Sequence, residues 1–136
     1  YFGNCLGSAI ICAIFIYSGS LKGAMTMYLT SVIQSKLHFD VIELILKGIL
    51  CNFIVCVGAY TGMKVQDSMT KLIFLVIIVM AFVLPGFEHC IADMFYCTAA
   101  GLSLDSLLVI MFVTVGNIIG SFIIPAVGFC TNKIRS

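Results

Sequence analysis

Long apolar runs separated by short polar stretches divide the chain. A helix that crosses a bilayer needs about 20 predominantly apolar residues. Four segments qualify, at roughly 1–19, 40–61, 72–98 and 106–130, and the first and last carry no charge. The second opens on Glu43 and Lys47, four apart in the order that favours a helical ion pair. Asp105 or Ser106 is placed to cap the fourth. Between the first two spans, Met25, Tyr28, Leu29 and Val32 recur at helical spacing. That spacing suits a segment lying in the membrane interface or capping a bundle, and equally one packed into a core.

The third span is irregular. Its stretch "FVLPGFEH" (82–89) sets Pro85 and Gly86 mid-span, and Glu88, His89 and Asp93 follow within ten residues. Proline lacks an N–H and glycine favours non-helical backbone. A plain proline kink is one outcome. The other is a discontinuous helix, non-helical over about 82–87, with a new helix starting near Glu88. Irregular backbone at membrane depth persists only where protein buries it or a cavity is lined by it, and broken helices mark transport sites. The ionisable cluster directly after the break favours this second outcome, because such groups are costly in a membrane and sit where something polar passes.

Composition narrows the class. Hydrophobic residues make up 62% of the 136 positions and charged residues 10%, against about 25% charged in soluble domains. A single membrane domain over 1–136 is the expected fold class: all-α and multi-pass. The net charge of +1 gives no basic surface for nucleic acid. Cysteines 5, 12, 51, 56, 90, 97 and 130 lie mostly in apolar runs without a CxxC pair, so they read as small packing residues. No metal-ligand spacing, nucleophile elbow or phosphate loop is present; no enzyme activity and no cofactor are expected. Lys64, Lys71, Lys133 and Arg135 fall on one side of four crossings, and Lys22 and Lys36 on the other. The positive-inside rule then puts the 62–71 loop and the C-terminus in the cytoplasm of a cell-membrane protein.

An internal likeness sets the architecture. "FGNCLGS" (2–8) and "VGNIIGS" (115–121) share Gly3/Gly116, Asn4/Asn117, Gly7/Gly120 and Ser8/Ser121. Each is a GxxxG, which admits close helix contact, with an asparagine able to bond across it. If span four repeats span one, the unit is three helices, and an odd number makes successive units antiparallel. Residues 1–19 are then the last helix of a first repeat and 40–130 a whole second repeat. That gives four spans of an expected six, and the sequence reads as part of something longer.

The chain resembles the formate/nitrite transporter family, pentameric channels for small monovalent anions such as formate, nitrite and hydrosulfide. The resemblance is carried by "KGILCNFIVC" (47–56), "GFEHCIADMF" (86–95) and "GNIIG" (116–120). It implies an aquaporin-like hourglass of inverted three-helix repeats, a pore in each protomer, and a homopentamer in the lipid bilayer. Carried across by residue, it implies His89 as the central pore histidine and Phe82 as the outer constriction, lined also by Val55. Lys36 becomes the vestibule lysine, with Asn52 as its partner. The family motif usually reads GFEHSIANM, so Cys90 and Asp93 stand here for serine and asparagine. These two departures bear on substrate preference.

A small anion in such a constriction faces a desolvation cost of several kcal/mol. Lys36, if not merely a solvated loop lysine, would concentrate anions at the outer mouth. His89 would pair with the anion or hand it a proton, so protons join the anions as candidate partners; a structural hydrogen-bonding histidine is the alternative. Asp93, four residues on, is placed to orient the imidazole. Glu88 is expected to serve the backbone or another helix. A noncatalytic structural or assembly subunit, with acids that pair only between helices, is the competing class.

Overall fold

The computed structural model describes residues 1–135, with side chains described through Gly128. Six helices follow in order: α1 (Phe2–Tyr17), α2 (Ala24–Leu37), α3 (Val41–Lys64), α4 (Ser68–Val83), α5 (Cys90–Ala100) and α6 (Leu104–Arg135). Two are long and apolar enough to cross a membrane, Val41–Lys64 and Leu104–Gly128. The expected first span is a helix of 16 residues, and the third is divided into α4 and α5. Lys133, Arg135 and Cys130 have side chains outside the described residues.

The centre of the fold is the contact between α3 and α6. A Cβ on Gly116 would run into the carbonyl oxygen of Ile45, and one on Gly120 into that of Ile49. Each step of four residues on one helix matches four on the other, so the two run parallel. Gly48 is also tightly approached, and an added Cβ there would lie 2.8 Å from the Val113 oxygen. Around this seam Leu44, Val109 and Val113 form a buried cluster, with Phe39, Cys90 and Phe112 against it. Small residues let two backbones approach this way, where van der Waals packing replaces a hydrophobic drive.

The other GxxxG does not match the expectation. Gly3 and Gly7 on α1 have nothing within 4 Å of an added Cβ. α1 packs instead on α5 through a different face, with Cys5 Sγ 3.4 Å from Met94 Sδ and Phe15 edge-on to Phe95. The likeness between 2–8 and 115–121 therefore does not carry over to packing among the described residues. Asn117 makes the bonds described below, whereas Asn4 lies exposed.

Between α1 and α3, α2 is a packed helix. Leu29, Ile33 and Lys36 are its buried residues, and Ile33 joins Met94, Cys97 and Ile110 in a second cluster. Met25 and Tyr28 stay exposed, so only part of the expected apolar stripe turns inward. The Glu43–Lys47 pair forms at 2.9 Å. At the start of α6 the capping residue is Ser103, not Asp105 or Ser106. Its Oγ accepts the Ser106 N–H at 3.1 Å while Ser106 Oγ accepts the Ser103 N–H at 2.8 Å, a reciprocal capping arrangement. α4 has no buried residue and exposes a wide apolar surface, as expected of a helix facing lipid or neighbouring protein.

Three outcomes follow. Gly120→Leu should destabilise the protein by about 1–3 kcal/mol or more through overpacking, read as a lower melting temperature in detergent. Gly62→Ala, with open space around its Cβ, should be neutral or stabilising. Asp67 caps α4 by accepting the Thr70 N–H at 2.6 Å, and the Thr70 hydrogen bonds hold its carboxyl below the usual range. The cap's contribution is thus present above the unfolded carboxylate range and lost as pH falls through the lowered folded value. Asp67→Asn should remove that component from the acid limb of the unfolding profile.

Candidate functional site

α4 ends at Val83, and residues 84–89 carry the chain to α5 without regular helix. Pro85 cannot donate a hydrogen bond, and Gly86 has φ +71°, a region open to glycine. The discontinuous helix is the observed outcome. The new helix begins at Cys90, with His89 as its N-cap and Glu88 inside the break.

Breaking a helix in apolar surroundings strands backbone groups. Asn117, buried on α6, takes up two of them and reaches α3 with a third bond. Its Oδ1 accepts the Cys90 N–H at 3.1 Å, and its Nδ2 donates to the carbonyls of Gly48 and Glu88, both at 3.0 Å. One amide thereby ties α3, the break and the first residue of α5 to α6. Asn52 on α3 extends the network by donating to the Asn117 backbone oxygen at 2.6 Å.

On the far side of the break, Lys36 from α2 pairs with Glu88, and its Nζ lies 2.8 Å from Asp93 Oδ1. All three are nearly inaccessible: Lys36 is 8% exposed, Glu88 3% and Asp93 1%. Asp93 holds the ammonium as an ion pair, and neither of its oxygens has a further hydrogen-bond partner. The Tyr96 ring, 5.7 Å from Nζ, covers the ammonium.

The half-buried His89 imidazole stacks on Phe82, the last turn of α4, with ring centroids 5.8 Å apart and planes 25° from parallel. Both rings line a cavity of about 330 Å³ together with Lys36, Glu88, Asp93 and Tyr96. A charged wall and an aromatic wall thus meet at the broken helix.

The family model described as "Formate/nitrite transporter" matches residues 1–131. The chain belongs to the formate/nitrite transporter family. It is 36% identical over 101 residues to a protein named Formate channel FocA from Haemophilus influenzae, covering 70% of this chain and 34% of that protein. It spans about a third of that relative's length. A structure titled "Pentameric formate channel with formate bound" superposes with TM-score 0.86 at 23% identity, over 98% of this chain and 64% of the other. One titled "FNT family ion channel" gives 0.82 at 24%, over 96% and 56%. At these identities the two structures speak for the fold.

Within this formate/nitrite transporter fold, the residues singled out from sequence divide into two groups. His89, Phe82, Lys36, Glu88, Asp93, Pro85 and Gly86 come together at one cavity. Val55 is half-buried on α3 and is not among the residues lining it. Asn52 is not the partner of Lys36; it serves Asn117, while two carboxylates hold the lysine. Asp93 does not orient His89, because its side chain turns to Lys36; no hydrogen bond from the imidazole is formed among the described residues. Nor is Lys36 a loop charge, being buried on α2. Glu88 reaches another helix, α2. The cavity residues missed from sequence include Tyr96, Tyr28 and Phe87. Tyr96 had a signal, seven residues after His89 and three after Asp93 on one helical face. Tyr28 and Phe87 had none beyond belonging to apolar surroundings.

Asn117→Leu should be more damaging than a cavity of its size implies. It strands the Cys90 N–H and the Glu88 carbonyl at about 1–3 kcal/mol each, and the loss of folded protein in detergent measures it. Asn52→Leu, which removes only an added bond to a carbonyl inside the continuous α6, should be milder.

Proposed function

We propose that the whole protein is a channel or transporter for small monovalent anions, formate, nitrite or hydrosulfide, through a pore in each protomer of a homopentamer. The carrying observation is the His89–Phe82 stack on a cavity at the broken helix. Family membership supports the reading, as does the formate named for the relatives. The hourglass of inverted repeats rests here on the α4–α5 break and on α3 and α6 running parallel to one another. The protein lies in the cell membrane with the α3–α4 connection, bearing Lys64 and Lys71, and the C-terminus in the cytoplasm. No catalysis is assigned to it.

Phe82 narrows the path with an apolar ring, and His89 faces the permeating species. An anion that sheds water there recovers part of the cost by pairing with imidazolium or by taking its proton and crossing as a neutral acid. Lys36 does not act as a free attractor, since Glu88 and Asp93 neutralise it. The same buried pairing favours a second reading, a structural or assembly subunit whose acids only join helices. Flux separates the two, because such a subunit conducts nothing alone.

His89→Phe leaves a dry apolar plug. Each 1.4 kcal/mol of added barrier slows passage about tenfold, so formate uptake into liposomes should fall by at least about two decades. His89→Asn should be milder and should lose the part of the pH dependence that the imidazole contributes. Wild-type rate and pH profile in both correctly assembled variants would make His89 a structural residue.

A further inference from the structure

We propose that Asp93 is a proton-binding group of the cavity, separate from His89, whose occupancy sets the net charge of the Lys36 site. The argument begins with a charge count. One ammonium meets two carboxylates, so the cluster carries an excess negative charge when all three are ionised. Each member is more than nine-tenths buried, where an uncompensated charge is far costlier than in water.

Among the described residues, no further lysine or arginine pairs with this cluster. Lys47, also on the cavity wall, is engaged by Glu43 at 2.9 Å and lies over the Phe39 ring. His89 faces Phe82. Tyr28 and Tyr96 contribute neutral phenols, α3 and α5 the thiols of Cys51, Cys90 and Cys97, and α6 the neutral amide of Asn117. The N-terminus of α5 adds only about half a unit of positive charge. A bound proton completes the balance.

Geometry selects the acceptor. Glu88 accepts the hydrogen bond of Lys36. Asp93 has no hydrogen-bond partner beyond its ion pair with Lys36 and lines the cavity. A hydronium ion in that space gives its proton to a carboxylate oxygen, forming one O–H bond and leaving water. The site is then neutral; ionised, it opposes an approaching anion. Its link to transport rests on the reading above, whereas the proton site itself does not.

The test uses the full-length protein, with infrared difference spectra and formate flux in liposomes over about pH 5 to 8. Isotopically labelled aspartate should shift a protonated-carboxyl carbonyl band in the wild type, and Asp93→Asn should abolish that band. The variant should also pass formate about tenfold faster than wild type at the alkaline end, since one repelling charge is gone. A wild type without the labelled band, or an Asp93→Asn variant that retains it, overturns the proton site. A lost band with an unchanged flux profile overturns its control of the Lys36 charge. A wild type that carries no anion yet shows the band would overturn the transport reading and leave the proton site standing.

Discussion

A broken helix inside an apolar protein survives only if its stranded backbone groups find partners. Asn117 provides them. Its single side-chain amide both donates and accepts, as the break requires, since a carbonyl and an N–H are exposed within three residues of each other. The third bond, to Gly48, ties the same amide to α3. Close approach of α3 and α6 is a condition for that reach. The glycines at 48, 116 and 120 therefore act on the cavity at a distance: they set the helix spacing that lets Asn117 span it.

With the break held, the groups around it are fixed in space. His89 stands at the N-cap position, off the helical path, so its ring is free to stack on Phe82 from the preceding half-helix. Glu88 points to the other side and meets Lys36. Two consecutive residues thus serve opposite walls, which a continuous helix would also separate but could not aim at the end of α4. The charged wall is mutually neutralised, with one acid in excess. Electrostatics at the cavity are set by that excess and by His89, and less by the long-range pull of a bare lysine.

Much of the exposed surface is apolar, above all on α4, where no residue is buried. Such a surface is stable only when something apolar covers it. In the formate/nitrite transporter family, to which the chain belongs, a bilayer fits this role.

The sequence by itself determined the helices and the interruption. Apolar runs, caps and the Pro85–Gly86 pair act through local geometry, which neighbouring residues suffice to specify. The family motif likewise placed His89 and Phe82, since seven residues separate them along the chain. Tertiary structure decided the partners. Lys36 lies 52 positions from Glu88, and nothing local distinguished a solvated lysine from a buried one clasped by two acids. Four identities in seven residues suggested equal roles for Gly3–Gly7 and Gly116–Gly120, yet only the second pair meets a helix close enough to need glycine. Packing depends on which face of a helix its neighbour takes. That choice is made by the whole fold, because it is the sum of many weak contacts and a few buried polar bonds.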